Sequence, residues 1–554
     1  MSTPTNNRPT GPIDPITVEV IGNALSSIAE EMGETLVRAS YSTNIKERRD
    51  SSTCLFDAKG RVLAQAMHIP MHLSSLIGVI NAIHARVALT DVREGDVFIG
   101  NDAYTGGGTH LPDLVLAEPI FFEGTLVGWA TNTAHHADFV DRAHAHIFQE
   151  GIRIPPIRLY REGRLQQDVL DIILLNLQVP RERLADLRAQ GAANTLGIRR
   201  FRELCRRYGT PLILAAEDAL LDYAERLTRA GIQTIPPGTY TFADQFDSEE
   251  LPDILDLGVT VIVHDDEISL DFTAPPQVRA GFNLVETGLL AAVYYALKTL
   301  IGPEIPPNAG FFRPIHVTGT KASVLNAAAP AAVNARVDTA QRVVDLVHGA
   351  LAKAIPERVT AAHNGASTYA DFSGVDPRTG RFYAYVETIG GGFGARATKD
   401  GLDGVHSHMT NTSNLPVEGL ETEYPLMVER YELVADSGGP GRTRGGMAIH
   451  RRVRAEHDAC RTAVFGSRLR TAPWGLAGGG EGVKAVFRYE QPGEPPVRGK
   501  ARLDHGSTVA ITTAGGGGFG EPRARDPAAI ARDLREGRIS AEAAARDYAM
   551  RRSE

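Results

Sequence analysis

Acidic and histidine side chains cluster in residues 100–138, GNDAYTGGGTHLPDLVLAEPIFFEGTLVGWATNTAHHAD. A glycine run leads into His110 and Asp113, and His135 and His136 close the stretch. Two imidazoles and a carboxylate, with one position left open for water, form a common hydrolytic metal set. These residue types indicate metal-dependent hydrolysis, although a His-x-x-Asp pair alone is also common at surfaces and caps.

Two short apolar runs, 114–119 and 126–130, connect these residues. Short apolar runs bounded by turn residues are typical of strands in a buried sheet. Asp113 then stands at the entry of the first strand and His135 at the exit of the second. Because antiparallel pairing places those two ends side by side, we expect His110, Asp113 and His135 to converge on one point.

Composition excludes several classes of protein. The 554 residues are 43% hydrophobic and 23% charged, which is ordinary for a globular protein. A net charge of −9 argues against nucleic acid as the main partner. The three cysteines are far apart and indicate a reduced compartment. No apolar stretch has the length of a membrane span, and the N-terminus has no signal-peptide core. We therefore expect a soluble cytoplasmic protein.

Glycine is enriched, with 56 residues in several clusters. The sequence predicts that most clusters form tight turns between strands. None ends in the Gly-Lys-Ser/Thr of a phosphate-binding loop, and residues 390–394 lack the dinucleotide-binding spacing. We therefore expect no ATP or NAD site in this chain. Backbone N–H groups of Gly106 to Gly108 could stabilise developing negative charge, and a simple turn explains the run equally well.

Periodicity predicts an α+β fold, large, mixed and multi-lobed, with a helix-rich N-terminal half and a strand- and glycine-rich C-terminal half. The expected helices span 17–38, 74–87, 170–208, 212–230, 289–300 and 340–354, the last with Thr339 as its N-cap. The expected domains are an N-terminal α/β lobe with the metal site (1–231), a middle α/β region (232–357), a glycine-rich β lobe (358–525) and a charged helical tail (526–554).

Two further histidine pairs are candidates for a site. His68 and His72 are separated by Pro70, which disfavours a regular helix, and they predict a loop that lines a pocket rather than metal ligation. His406 and His408 are expected on one side of a strand. They could ligate a second metal, and hydrogen bonding in a pocket is the better interpretation.

Seven stretches together resemble the hydantoinase B/oxoprolinase family. They appear in family order over nearly the whole chain: 42–75, 95–113, 134–138, 387–396, 403–418, 473–479 and 513–520. The length suits an N-methylhydantoinase-type or lactamase subunit better than the longer ketone-carboxylase subunits. The sequence departs from the family pattern at Ser51-Ser52 and at residues 335–338, and we expect these departures to bear on substrate fit.

The resemblance implies a hetero-oligomer with divided labour. A hydantoinase A-type partner would bind ATP and Mg²⁺ and phosphorylate the amide oxygen of a small cyclic amide. The present chain would complete the hydrolysis with a metal-bound water. The implied ligands of a zinc or manganese ion are Asp50, His110, Asp113 and His135, with Asp102 and His136 as alternatives. Glu47 and His136 are the candidate proton relays.

Other functions remain open from the sequence. The chain could belong to an ATP-dependent ketone carboxylase, which would join an activated enolate to CO₂. It could be a non-catalytic scaffold that stabilises its partner, or a metal-dependent hydrolase that acts without ATP. The sequence also leaves the identity of the cyclic substrate undecided; it could be hydantoin, N-methylhydantoin, 5-oxoproline or a larger lactam.

Overall fold

A mixed α+β architecture is present, as the sequence predicts, in a computed structural model that describes residues 13–106, 108–136, 144–491 and 501–550. The N-terminal elements are, in chain order, α1 (Pro15–Ala39), α2 (Thr43–Lys46), β1 (Ser51–Asp57), β2 (Val62–Gln65), α3 (His72–Arg86), β3 (Val97–Gly100), β4 (Asp113–Phe122), β5 (Thr125–His135), β6 (Ile157–Arg161), β7 (Arg164–Leu165), α4 (Gln167–Leu175), α5 (Pro180–Tyr208) and α6 (Thr210–Ile232). No helix in these described ranges combines the length and apolarity needed to cross a bilayer.

The N-terminal elements form an antiparallel sheet with the order β2-β1-β5-β4-β3-β6-β7 among the described residues. Apolar side chains of α1, α5 and α6 pack on one face of the sheet, and those of α3 pack on the other. Since helices cover both faces, β1 is buried along its entire length. Strands covered on both faces show continuous apolar runs rather than an alternating pattern. This explains the apolar runs at 114–119 in β4 and 126–130 in β5.

Strand register brings the candidate metal ligands to one end of this sheet. Asp113, the first residue of β4, pairs directly with His135, the last residue of β5. Ser51, the first residue of β1, pairs with Ala134. The predicted antiparallel pairing is therefore confirmed. A slip of one residue would turn every side chain to the opposite face and separate the site residues.

The middle of the chain adds a second sheet with the order β11-β10-β9-β8 in the described residues. Its elements are β8 (Gly238–Phe246), β9 (Leu255–His264), β10 (Glu267–Thr273), α7 (Glu286–Ile301), α8 (Ala309–Phe312), β11 (Ile315–Gly319) and α9 (Arg336–Leu351). The predicted N-cap of α9 is wrong, because the helix begins at Arg336 after Ala335. Thr339 instead donates its hydroxyl to the carbonyl of Phe282, 2.5 Å away.

Two antiparallel sheets form the C-terminal part, with the orders β13-β12-β16-β18 and β14-β15-β19-β17 in the described ranges. The elements are β12 (Tyr369–Asp376), β13 (Arg381–Thr388), α10 (Val417–Glu423), β14 (Leu426–Leu433), β15 (Ile449–Ala455), β16 (Cys460–Phe465), β17 (Val486–Glu490), β18 (Ala501–Leu503), β19 (Thr508–Thr512), α11 (Pro527–Arg535) and α12 (Ala541–Tyr548). Both sheets contribute side chains to one shared core.

The glycine clusters pack against one another instead of serving mainly as turns. The N–H of Gly392 donates to Ala514, and the N–H of Gly516 donates to Gly446. A Cβ atom on Gly392 would lie 2.1 Å from the carbonyl oxygen of Gly446, and one on Gly445 would lie 1.9 Å from that of Gly516. Backbone segments approach too closely here for any side chain, so close approach is the reason for glycine.

A buried amide fixes α5 to the strands that carry the site. Nε2 of Gln190 donates to the carbonyl of Leu114 at 2.8 Å and to Oδ1 of Asn132 at 2.9 Å. We expect Gln190→Ala to lower the free energy of unfolding by about 2 kcal/mol, because buried polar atoms lose their partners. Denaturant unfolding measures the change. Arg188→Ala, at an exposed position of α5, serves as the control, and equal midpoints for both variants would contradict this role.

Candidate metal centre

The carboxylate of Asp113 has three imidazole nitrogens around its Oδ1 atom. Nε2 of His110 lies 3.0 Å from it, Nδ1 of His135 lies 3.4 Å away and Nε2 of His72 lies 3.7 Å away. Asp113 is fully buried, and its Oδ1 has no hydrogen-bond donor in the described part of the chain. The predicted convergence of His110, Asp113 and His135 is confirmed, since one ligand atom from each lies within 4.8 Å of the others.

The tautomer of His110 follows from its backbone partner. Its Nδ1 lies 3.2 Å from the carbonyl oxygen of Asn334. Because a carbonyl oxygen only accepts, Nδ1 carries the proton and Nε2 presents a lone pair toward Asp113 Oδ1. Two acceptors that face each other at 3.0 Å repel unless a cation joins them. Two ligands of one ion, each bonded at roughly 2.0–2.2 Å, stand about 3 Å apart, so this pair fits a divalent transition metal.

Ionisation states at the site suit metal binding. Burial, and next the charge of Arg336, lower the pKa of His110 to about 3. Burial acts to raise the pKa of Asp113, but the neighbouring groups, among them the Arg336 guanidinium, outweigh it and hold that pKa well below the usual carboxyl range. At neutral pH the imidazole is therefore neutral and the carboxylate ionised, which are the states that ligate metals.

Asp50 approaches the group from the residue before β1. Its Oδ1 lies 3.6 Å from Nε2 of His72, and its Oδ2 lies 4.0 Å from Nδ1 of His135. The backbone N–H of His135 donates to the Asp50 carbonyl at 3.0 Å, which fixes the two segments side by side. The fourth ligand implied by the resemblance thus lies next to the other three.

Sequence reasoning missed Arg336, which holds the other oxygen of the central carboxylate. Its guanidinium donates to Oδ2 of Asp113 at 2.9 Å and to Oγ1 of Thr109 at 3.1 Å. Oδ1 of Asp113 is thereby left to face the histidines. Arg336 lies in the first turn of α9, so a long-range contact fixes it and no local motif could have indicated it. The only sequence signal was the departure from the family pattern at 335–338.

His72 is the second residue whose role the sequence understated. It is the first residue of α3 and lines the pocket, and its Nδ1 lies 3.1 Å from Oγ of Ser52. His72 lines the pocket as predicted, but the predicted loop is wrong at this residue because it begins a helix; His68 is not among the lining residues. Ser52 belongs to the other departure from the family pattern, so both departures lie at this site.

The remaining candidates lie outside the group. Glu47 is exposed at the end of α2 and does not line the pocket. His136 is buried against α5, with Nε2 3.1 Å from Oε1 of Gln190. Asp102 accepts the N–H groups of Tyr104 and Thr105 and pairs with Arg153, so its carboxylate stabilises a turn.

The glycine run before His110 is a turn at both of its described residues. The N–H groups of Gly106 and Gly108 both donate to the carbonyl of Asp102, at 2.9 and 3.2 Å. These two donors are therefore committed to the backbone. Gly107 lies outside the described residues.

An open pocket leads to the candidate metal ligands and is lined in part by the C-terminal part of the chain. Its apolar lining residues, which we call the apolar side, are Ile69, Met71, Val337, Tyr369, Met409 and Phe465. Its lining threonines, which we call the polar side, are Thr388, Thr410 and Thr412. Largely apolar walls with a few convergent polar groups are typical of small-molecule sites.

A second set of potential ligands consists of Asp345, His363 and His408, and none of them lines this pocket. Oδ2 of Asp345 pairs with Arg468 at 2.8 Å, and Nδ1 of His363 accepts the N–H of Gly365 at 3.1 Å. These two lone pairs are therefore already engaged by protein donors. The predicted strand through His406 and His408 is wrong, because residues 403–412 form an irregular loop in which the two side chains have different neighbours.

The fold and this site define a known class of protein. The chain matches the family described as Hydantoinase B/oxoprolinase over residues 14–522, and it belongs to that family. An uncharacterized protein of Methanocaldococcus jannaschii is 37% identical over 97% of this chain and 96% of its own length. 5-oxoprolinase 1 of Arabidopsis thaliana is 30% identical over 92% of this chain, which corresponds to 42% of that longer protein.

Caprolactamase of Pseudomonas jessenii is similar in both sequence and structure. Its beta subunit is 31% identical over 97% of this chain and 96% of its own length. The crystal structure of the ATP-dependent caprolactamase superposes on this chain with a TM-score of 0.90, covering 97% of this chain and 96% of that one. These likenesses confirm the family and the fold that the sequence motifs imply.

Metal content tests the donor set directly. We expect elemental analysis of the purified chain to find about one transition-metal ion per chain, and we expect His110→Ala and Asp113→Asn to lose it because each removes a central donor. His505→Ala, at an exposed position, is the matched control and should keep the ion. A folded wild-type chain that stays metal-free after supplementation with zinc and manganese would contradict the assignment.

Proposed function

We propose that this chain is the B-type subunit of an ATP-dependent cyclic-amide hydrolase and works with a partner subunit of the A type. The observation that carries the proposal is the pair of acceptor atoms, His110 Nε2 and Asp113 Oδ1, that face each other beside a pocket with apolar walls. The names of the relatives support the substrate class, because caprolactam and 5-oxoproline are both cyclic amides.

The reaction needs activation before water can attack. A ring amide resists hydrolysis because its nitrogen lone pair is delocalised and the nitrogen is a poor leaving group. Phosphorylation of the amide oxygen by the partner would make the ring carbon electrophilic. When bound, a divalent ion at Asp50, His110, Asp113 and His135 would lower the pKa of a water molecule toward neutrality and so supply the nucleophile.

The chain's own residues would position the metal ligands and the ring substrate. Arg336 holds Oδ2 of Asp113 and so directs Oδ1 toward the histidines. The apolar side of the pocket would receive the methylene carbons of the ring and exclude bulk water. Asp113 and His135 lie at the ends of paired strands, and Asp50 directly precedes β1, so the strand pairing would hold these three candidate ligands in place.

We assign the proton relay to Nε2 of His72. This atom lies within 4 Å of carboxylate oxygens of both Asp50 and Asp113 and lines the pocket. Burial lowers the pKa of His72, so the ring is neutral and able to accept a proton. Glu47 and His136, the relays proposed from the sequence, do not line the pocket.

The assembled complex tests this function. With the partner subunit, ATP and a screen of cyclic amides, we expect ring opening that requires both subunits. His72→Asn should lower kcat by roughly 10²–10⁴-fold through loss of the proton relay, and the metal content should be unchanged. His505→Asn should have wild-type activity. A His72→Asn variant with normal kcat would exclude the relay.

Two outcomes would replace the proposal with its alternatives. ATP-dependent incorporation of bicarbonate into an added ketone, without ring opening of any amide, would assign the complex to the carboxylases. Full activity of a complex that contains His110→Ala would identify this chain as a scaffold, because the central imidazole would then have no part in the reaction.

A further inference from the structure

Arg48 is a buried cation close to the pocket, and the structure gives it only neutral partners. Its exposed fraction is 1%. The guanidinium donates to the carbonyl of Val386 at 2.6 Å, to the side chain of Asn44 and to Oγ1 of Thr388 at 2.8 Å. No carboxylate in the described ranges forms an ion pair with it. A buried charge without a counter-charge is costly, so such residues are usually paired.

A chain of hydrogen bonds connects Arg48 to the polar side of the pocket. Thr388 Oγ1 lies 2.6 Å from Thr412 Oγ1, which lies 3.3 Å from Nε2 of His406. Nδ1 of His406 in turn lies 3.2 Å from Oγ1 of Thr410. All three threonines line the pocket. Arg48 is thus connected by hydrogen bonds to a row of hydroxyl groups in the pocket.

The direction of this chain leaves the hydroxyl proton of Thr412 able to turn to a ligand. Thr388 accepts from Arg48, so its own proton is directed to Thr412 Oγ1, 2.6 Å away. Thr412 can donate either to His406 or into the pocket, because a hydroxyl rotates to suit its partner. Burial, and next the charge of Arg48, lower the pKa of His406 to about 4, so the imidazole is neutral. Arg48 is therefore the cation of this network.

We propose that Arg48, Thr388 and Thr412 form an oxyanion subsite, which binds a carboxylate or phosphate group of the substrate beside the metal ligands. An oxyanion here would receive the hydroxyl proton of Thr412, polarised by the guanidinium through Thr388, and would supply the counter-charge that Arg48 lacks. Hydrogen bonds to charged groups are stronger than neutral ones. The inference rests on the proposed function in one respect, namely that this pocket receives the substrate.

The competing explanation is purely structural. In that case Arg48 would only fasten α2 to the end of β13, through its bond to the carbonyl of Val386. The hydroxyl groups would then fill space and satisfy one another. The two explanations differ in anion binding, because only the oxyanion subsite requires the threonine hydroxyls to contact a ligand.

Calorimetric titration of the full chain with inorganic phosphate, in metal-loaded and metal-free forms, separates the two explanations. We expect Thr388→Val/Thr412→Val to weaken phosphate binding by about tenfold for each hydroxyl removed, with unchanged metal content. Valine keeps the branched shape, so the fold should be retained. Thr422→Val, at an exposed position of α10, is the matched control. Arg48→Lys keeps the charge and should bind more tightly than Arg48→Met.

Titration with acetate as a second probe distinguishes a carboxylate from a phosphate group as the occupant of the subsite. Binding of phosphate alone would support a phosphate ester as the occupant, and binding of acetate as well would support a substrate carboxylate. Equal affinity of wild type and Thr388→Val/Thr412→Val for phosphate, or no binding of either anion, would overturn the subsite. The titration needs neither partner subunit nor cyclic amide, so its result is independent of whether the complex hydrolyses an amide.

Discussion

Compensation of the buried charge on Asp113 determines the arrangement of the whole site. A carboxylate with no solvent contact costs several kcal/mol unless cations or hydrogen-bond donors surround it. Arg336 satisfies one oxygen at 2.9 Å. The other oxygen meets imidazole nitrogens, the nearest of which presents a lone pair because its ring proton is committed to a backbone carbonyl. The protein thereby creates a position that a cation stabilises.

That compensation requires distant parts of the chain to come together. Asp113 and Arg336 are 223 residues apart in sequence. The arginine lies in the first turn of α9, a helix that packs against the middle sheet, while the carboxylate belongs to the N-terminal sheet. The loop at 403–412 adds the polar side of the pocket from a third part. The donor set is therefore complete only when the tertiary structure is complete, which would couple metal binding to folding.

The sequence predicted those features of the site that local pattern determines. Strand signals and the turn between them set the pairing of Asp113 with His135, since register follows from burial and loop length. His72 and Arg336 could not be assigned in this way, because only tertiary packing decides where they point. The glycine clusters show the same limit. Their composition predicted turns, whereas glycine is needed there because backbone segments far apart in sequence lie in close contact.

The two departures from the family pattern both lie beside the candidate metal ligands. Ser52 contacts Nδ1 of His72, and Arg336 contacts Oδ2 of Asp113. Both departures therefore involve contacts that position the candidate ligand atoms, not those atoms themselves. Two of the candidate ligands, Asp113 and His135, lie on paired strands whose register tolerates no slip. The threonines of the polar side lie at the end of β13 and in an irregular loop, where substitutions disturb fewer backbone hydrogen bonds. Under the proposed function, the strand residues that would hold the ion and the threonines that would contact the substrate therefore belong to structurally separate elements.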